Sequence, residues 1–220
     1  TMPSAENAGK PGYYSVRSGD TLTKIALEHG QAWRDIAKWN GLDNPNVIEV
    51  DQVLRVVPPS MDAGNRAPAK PVTAASASMP VPANAPAAAP AIAATNDDNL
   101  VFAWPHPGQV LSGFDEAKNK GLDFAGKAGD PVLAAADGKV VYAGSGLRGY
   151  GNLVILKHNN TYLTAYAHNQ TLLVKEDQTV QKGQRIAEMG SSDADRVKLH
   201  FEIRKQGKPV DPAKLLPARP

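Results

Sequence analysis

The spacing of hydrophobic positions changes twice along this chain. Near the start, "YYSVRSGD" reads as a short strand entering a turn. "DTLTKIALEHG" then sets Leu22, Ile25 and Ala26, with His29 after them, at the three-to-four spacing of a helix. Asp20 or Thr21 is placed to cap that helix and Gly30 to stop it. A second helical stretch, "AWRDIAKWNG", ends at Asn40-Gly41, and "VIEVDQVLRVV" returns the chain to extended conformation around a turn. The predicted order over residues 13–57 is strand, helix, helix, strand, an α+β unit with room for only a small core.

From Ser60 to Thr95 the periodicity vanishes and alanine and proline dominate. Alanine favours helix, but the scattered prolines remove backbone donors and push their predecessors toward extended conformations. Residues 60–95 are therefore expected to form a disordered or polyproline-like linker. At about 3.1 Å per extended residue, it is long enough to hold its flanks several nanometres apart.

After Asn99 short alternating runs recur between glycine turns, which predicts a mainly antiparallel β domain over residues 99–220. In "KLHFEIR", Leu199, Phe201 and Ile203 share one face, and Lys198, His200, Glu202 and Arg204 share the other. In "YLTAYAH" the same parity groups Tyr162, Thr164, Tyr166 and His168, with Leu163, Ala165 and Ala167 behind them. Several strands thus each carry a polar or aromatic face and an apolar back, and a groove floored by a sheet is expected.

Composition narrows the chemistry. With no cysteine, neither a disulfide framework nor a thiolate zinc site nor a thiol nucleophile is available. No run of about 18 apolar residues is present to span a bilayer. The start "TMPSAENAGK" lacks the basic and apolar regions of a signal peptide, so any export signal or lipid anchor is not visible in these residues. The net charge of +2 divides into a slightly acidic first unit and a mildly basic second one. Neither approaches the dense basic surface of nucleic-acid binding, and nucleic acid is not expected as a partner. Catalytic zinc commonly takes three protein ligands and leaves a position for water. Asp123 and His200 are two candidates. His29 lies in the first unit, His106 sits between prolines in a turn, and parity does not say whether His158 or His168 joins Asp123 and His200.

The ordered motifs of the first unit, Gly-Asp-Thr-Leu after a strand, Trp-Asn-Gly-Leu closing the second helix and a terminal Gln-x-Leu, resemble a LysM domain. Asp51 departs from the glycine usual before that Gln, and Asp tolerates the left-handed turn the position needs. The resemblance implies binding of N-acetylglucosamine chains, chiefly peptidoglycan. The implied groove is formed by Gly19, Asp20, Thr21 and Leu22 together with Asn44, Pro45 and Ile48.

In the second unit, "NKGLDFAGKAGDPVLAAADGKVVYAG", "GYGNLVILKHNNTYLTAYAHN", "VQKGQRIAEMGSS" and "KLHFEIRKQGKPVDP" resemble the lysostaphin-like LytM metallopeptidases. That resemblance places Asn119 where the family has a zinc-binding histidine, and Lys198 where it has a catalytic one. Asp123, His168 and His200 match the remaining functional positions. An amide oxygen is a poor substitute for imidazole on zinc, and a protonated lysine has no lone pair to offer. Without metal-activated water, a general base alone contributes only about 10² to 10⁴ in rate.

LysM, an Ala/Pro linker and a degenerate LytM domain together resemble the NlpD-type amidase activators. That likeness implies a non-enzymatic regulator in the periplasm, outer-membrane anchored in its full-length form and acting in septal wall splitting. It holds peptidoglycan through LysM, needs no cofactor, and binds a zinc N-acetylmuramoyl-L-alanine amidase through Asn119, Asp123, Arg148, Tyr150, Tyr166, His168, Lys198, His200 and Glu202. Two alternatives stay open: a zinc endopeptidase in which His158 completes the ligand set and a neutral Lys198 serves as base, and a passive wall-binding scaffold.

Overall fold

The computed structural model describes residues 5–44, 46–59, 100–159 and 161–218. The expected linker and Pro45 lie outside the described residues.

In the first unit, β1 (Tyr13–Ser15) is followed by α1 (Leu22–His29), α2 (Trp33–Trp39) and β2 (Val53–Arg55), and β2 pairs antiparallel with β1. Thr21 supplies the cap: its hydroxyl accepts the Lys24 N–H at 3.2 Å. Asp20 holds the turn from the other side, accepting the Tyr14 hydroxyl at 2.8 Å and the Arg17 N–H at 3.0 Å. Gly30 ends α1 in the left-handed conformation, and Asp51 adopts a φ of 67° as its turn requires. Val16, Leu22, Ile25, Ile36, Leu54 and Val56 form the core.

The second unit contains β3 (Val110–Ser112), β4 (Leu122–Ala125), β5 (Pro131–Leu133), β6 (Gly138–Gly144), β7 (Asn152–Lys157), β8 (Tyr162–Leu172), β9 (Thr179–Val180), β10 (Arg185–Met189), β11 (Lys198–Lys205) and β12 (Lys208–Val210). They build one antiparallel sheet in the order β3-β4-β11-β8-β7-β6-β9; β10 links β8 to β5, and β12 pairs with β11. Leu199, Phe201 and Ile203 point into a core with Leu122, Phe124, Val154, Leu156 and Tyr166, as the alternation of "KLHFEIR" requires.

The opposite face is divided. Over β4 and β11 it carries Asp123, Lys198, His200, Glu202 and Arg204. Over β6, β7 and β8 it is apolar, formed by Tyr142, Ile155, Leu163, Ala165 and Ala167. The expectation for "YLTAYAH" is thereby reversed. Tyr162, Thr164 and Tyr166 lie on the core side and are buried, while the small and branched residues expected to be their apolar back belong to the groove face. Register is the reason: Phe201 stands opposite Tyr166 and His200 opposite Ala167, and residues paired across an antiparallel ladder share a face.

The first unit covers the apolar half. Leu27 of α1 joins Tyr142, Leu147, Leu153, Ile155 and Leu163 in one buried cluster, with Trp33 packed against it. Around that contact Arg34 reaches Glu176 and Asp177, each at 2.7 Å, and Lys157 donates to the Gln31 side-chain oxygen at 3.1 Å. The Arg34 pairs are solvent-exposed and contribute about 0–1 kcal/mol each, so burial of Leu27 and Trp33 dominates the docking. Gly207, in the β11–β12 turn at φ 81°, lets the Glu28 carbonyl approach so closely that a Cβ would overlap it. The two units, which a linker of that reach would allow to part, are in direct contact.

Candidate functional site

Pairing of β4 with β11 sets His200 directly across from Asp123. The His200 Nδ1 lies 2.6 Å from one Asp123 oxygen, and the Lys198 ammonium lies 3.2 Å from the other. On its far side the His200 Nε2 is 2.9 Å from Glu202, whose second oxygen accepts from Arg204 Nε at 2.8 Å. The Tyr150 hydroxyl donates to Glu202 at 3.1 Å and accepts from Arg204 at 3.3 Å. Three cationic and two anionic side chains thus form one closed network.

Burial works against charge on His200, but hydrogen bonds and attraction from Asp123 and Glu202 outweigh it and push its pKa up to about 9. Burial would also raise Asp123 and Glu202. His200 and Lys198 hold the Asp123 carboxyl below its ordinary value, and His200 and Arg204 do the same for Glu202. Burial pushes the Tyr150 hydroxyl up to about 12, with the Glu202 charge adding to it. At neutral pH His200 is an imidazolium donating from both nitrogens.

His168 reaches this cluster by an irregularity that alternation does not foresee. Asn152 pairs with Asn169 and Val154 with Tyr166, so two residues of β8 oppose one of β7, and His168 takes a φ of 64°. Without that bulge His168 would follow Tyr166 into the core; with it, its ring lies 6.1 Å from that of His200. Burial first, then the charges on His200 and Lys198, lower its pKa. The neutral ring donates from Nδ1 to the Ser192 carbonyl at 2.8 Å. Its Nε2 has no hydrogen-bond partner among the described residues.

The remaining expected groove residues disperse. Tyr166 is fully buried on the core face, where its hydroxyl accepts the Ala135 N–H at 2.8 Å and contacts Thr164, so it does not line the groove. Glu202 is 1% exposed and supports His200 from within rather than forming a wall. Asn119 donates its amide to the Gly113 carbonyl at 3.1 Å inside its own loop. Arg148 is exposed and forms no ion pair among the described residues. His158, the alternative third zinc ligand, lies on the core face between the Asp137 carbonyl at 2.6 Å and Thr164 at 2.7 Å, and burial lowers its pKa to about 4. It does not join Asp123 and His200. Sequence reasoning passed over Ser192, which orients His168, and left Arg204, which locks Glu202, out of the expected site. Their roles depend on contacts 24 and 2 residues away in sequence that no motif marks.

These donors do not fit zinc. Both Asp123 oxygens are engaged, by His200 and by Lys198, both His200 nitrogens face carboxylates, and the Lys198 ammonium has no lone pair to offer. Among the described residues no group of three or more His, Asp or Glu side chains is arranged to hold a metal. The Lys198 ammonium supplies the positive charge against Asp123.

In the first unit, the expected glycan residues also separate by role. Gly19 is exposed at φ 86°. Asp20 and Thr21 are committed to the turn and the cap, and the Leu22 side chain is in the core, leaving only its backbone for a ligand. Asn44 accepts the Asn46 N–H at 3.0 Å, and Ile48 packs on the core edge. Thr21, Trp33, Asn46 and Ile48 line a cleft of ≈350 Å³ whose opposite wall is Tyr142 and Gly146 of the second unit.

Residues 14–57 match the family described as LysM domain, and residues 117–212 match Peptidase family M23. A lipoprotein NlpD/LppB homolog of Pseudomonas aeruginosa is 48% identical to this chain, over 94% of it and 78% of the relative. The murein hydrolase activator NlpD of Escherichia coli is 39% identical, over 94% of this chain and 68% of its own length. Among solved structures, a zinc-containing peptidase from Vibrio cholerae is 33% identical over 50% of this chain and 39% of that one, at a TM-score of 0.48. With a LysM domain in front of an M23-type domain and these identities over nearly its whole length, the chain belongs to the NlpD family.

Proposed function

We propose that this protein is a non-catalytic activator of a cell-wall hydrolase, specifically a zinc N-acetylmuramoyl-L-alanine amidase. It works in the periplasm during septal wall splitting, held at the outer membrane in its full-length form. The observation that carries this reading is the closed Lys198–Asp123–His200–Glu202–Arg204 network, which occupies the donors a hydrolytic zinc would need. Relatives named as murein hydrolase activators and lipoproteins support the same reading. The surface offered to the amidase is the uncovered half of the groove face, around Lys198, His168 and His200, while the LysM domain holds the glycan. Such a surface activates only if it binds the open form of the hydrolase more tightly than the closed form.

Release of dye from labelled peptidoglycan by the purified chain, with and without candidate amidases and with zinc measured on the same sample, tests this. The expected result is no release alone and faster release with one amidase. Chelator-sensitive release by the chain alone, with stoichiometric zinc, would favour the endopeptidase reading. Acceleration of no amidase would leave a wall-binding scaffold.

A further inference from the structure

The glycan cleft of the first unit does not end at its own surface. Thr21 and Gly146 line both that cleft and a second one of ≈570 Å³, which runs between the units past Leu27 and Glu28 to Arg148, Tyr150 and Lys208. Five cationic side chains border this second cleft against the single carboxylate of Glu28. Two of them are committed: Lys24 pairs with Asp20 at 3.3 Å and Arg204 with Glu202 at 2.8 Å. The other three, Lys120, Arg148 and Lys208, are exposed and form no ion pair among the described residues. They come from three different loops or strand ends of the second unit, and the cleft they border meets the glycan cleft at Thr21 and Gly146.

We infer that the inter-unit cleft is a binding site for the acidic peptide carried by a wall glycan whose sugars rest on the Thr21–Ile48 cleft. Lys120, Arg148 and Lys208 meet its carboxylates. The inference rests on the reading of the first unit as a glycan holder. A cell-wall glycan bears short peptides with free carboxylates at intervals along the sugar chain, so a sugar site that opens into a cationic cleft matches such a ligand in both parts. Neither unit alone has this site, since its walls come from α1 on one side and from the second unit on the other. Occupancy therefore reports that the units are docked and that the strand still carries peptide, the state of a wall whose amide bonds are uncut. Tyr150, at the inner end of the cleft, donates to Glu202, so the ligand would sit beside the network that shapes the proposed amidase surface.

Calorimetry on the full chain with a peptidoglycan tetrasaccharide bearing its peptides, and with the same tetrasaccharide stripped of them, tests this. The peptide-bearing form is expected to bind about tenfold tighter, the size that a few exposed charge contacts supply, and the advantage should shrink as salt rises. Lys120→Glu/Lys208→Glu should abolish the preference while leaving affinity for the stripped sugar unchanged, which also shows that the variant is folded. Equal binding of both ligands by the natural chain would overturn the inference and leave the LysM reading standing. Binding of neither would overturn both. If the double variant keeps its preference for the peptide-bearing ligand but loses stimulation of a hydrolase, the lysines serve the hydrolase and the inference falls. Loss of the preference in a chain that stimulates no hydrolase would uphold the inference and count against the proposed activation alone.

Discussion

The two halves of one sheet face solve burial in opposite ways. Over β6, β7 and β8, Tyr142, Ile155, Leu163 and Ala165 are apolar and are covered by Leu27 and Trp33 of the other unit. Over β4 and β11, Asp123, Lys198, His200, Glu202 and Arg204 are ionic and shielded mainly by one another. An apolar half can be covered by any well-shaped partner, whereas an ionic half holds together only if every charge keeps its counter-charge. The face is therefore closed where it is greasy and available where it is charged, and the charged half is the one proposed to meet a partner.

The sharpest way to break this contrast is Glu202→Ala. It strips the common counter-ion from His200 and Arg204, leaves buried positive charge unpaired, and is expected to cost about 3–5 kcal/mol in urea unfolding. A loss below about 1 kcal/mol would mean that water already screens the network. Next is Leu27→Ala at the covered half. It removes buried inter-unit contact and should weaken the docked arrangement by about 2–3 kcal/mol. Proteolysis between the units should speed up accordingly, while the second unit's own melting changes little. A cooperative loss of the whole fold would show instead that the units do not unfold separately.

The smallest signal is a slope with pH, confined to the ionic half. Because the pKa of His200 is raised in the folded chain, its contribution is complete below its unfolded value of 6.5 and fades as pH rises through about 9. Asp123 and Glu202 are shifted down, so their contributions are present above their unfolded values and fade as pH falls through the lowered ones. Stability measured between pH 6.5 and 9 should thus fall by at most about 1.4 kcal/mol per pH unit from this histidine. His200→Gln should flatten that part of the curve, and an unchanged slope would remove His200 from the account.

Much of this was legible in the chain, and the limits have physical causes. The Thr21 cap, the Gly30 stop and the Asp51 turn follow from local backbone chemistry, so local sequence reports them. The alternation of β11 correctly separated Phe201 from His200, because a strand without irregularity keeps its period of two. The same rule failed on β8. Tyrosine can be buried through its ring or exposed through its hydroxyl, so Tyr166 gave no sign of which face it took, and the bulge at His168 rests on a positive φ at a residue that does not advertise one. The docking of the units was not legible at all: Leu27 and Trp33 look like ordinary residues of an amphipathic helix pair, and their partners lie more than a hundred residues away.

Gly207 carries a consequence for how such a chain can change over generations. Its φ of 81° would by itself favour glycine in a hairpin turn, and the nearness of the Glu28 carbonyl forbids a side chain for a second, unrelated reason. Even a substitution the turn could tolerate would drive a methyl group between the units. A lineage that drifted at this position would surrender the alignment of two domains for the sake of one loop, so the history of the hairpin is bound to the history of the pairing.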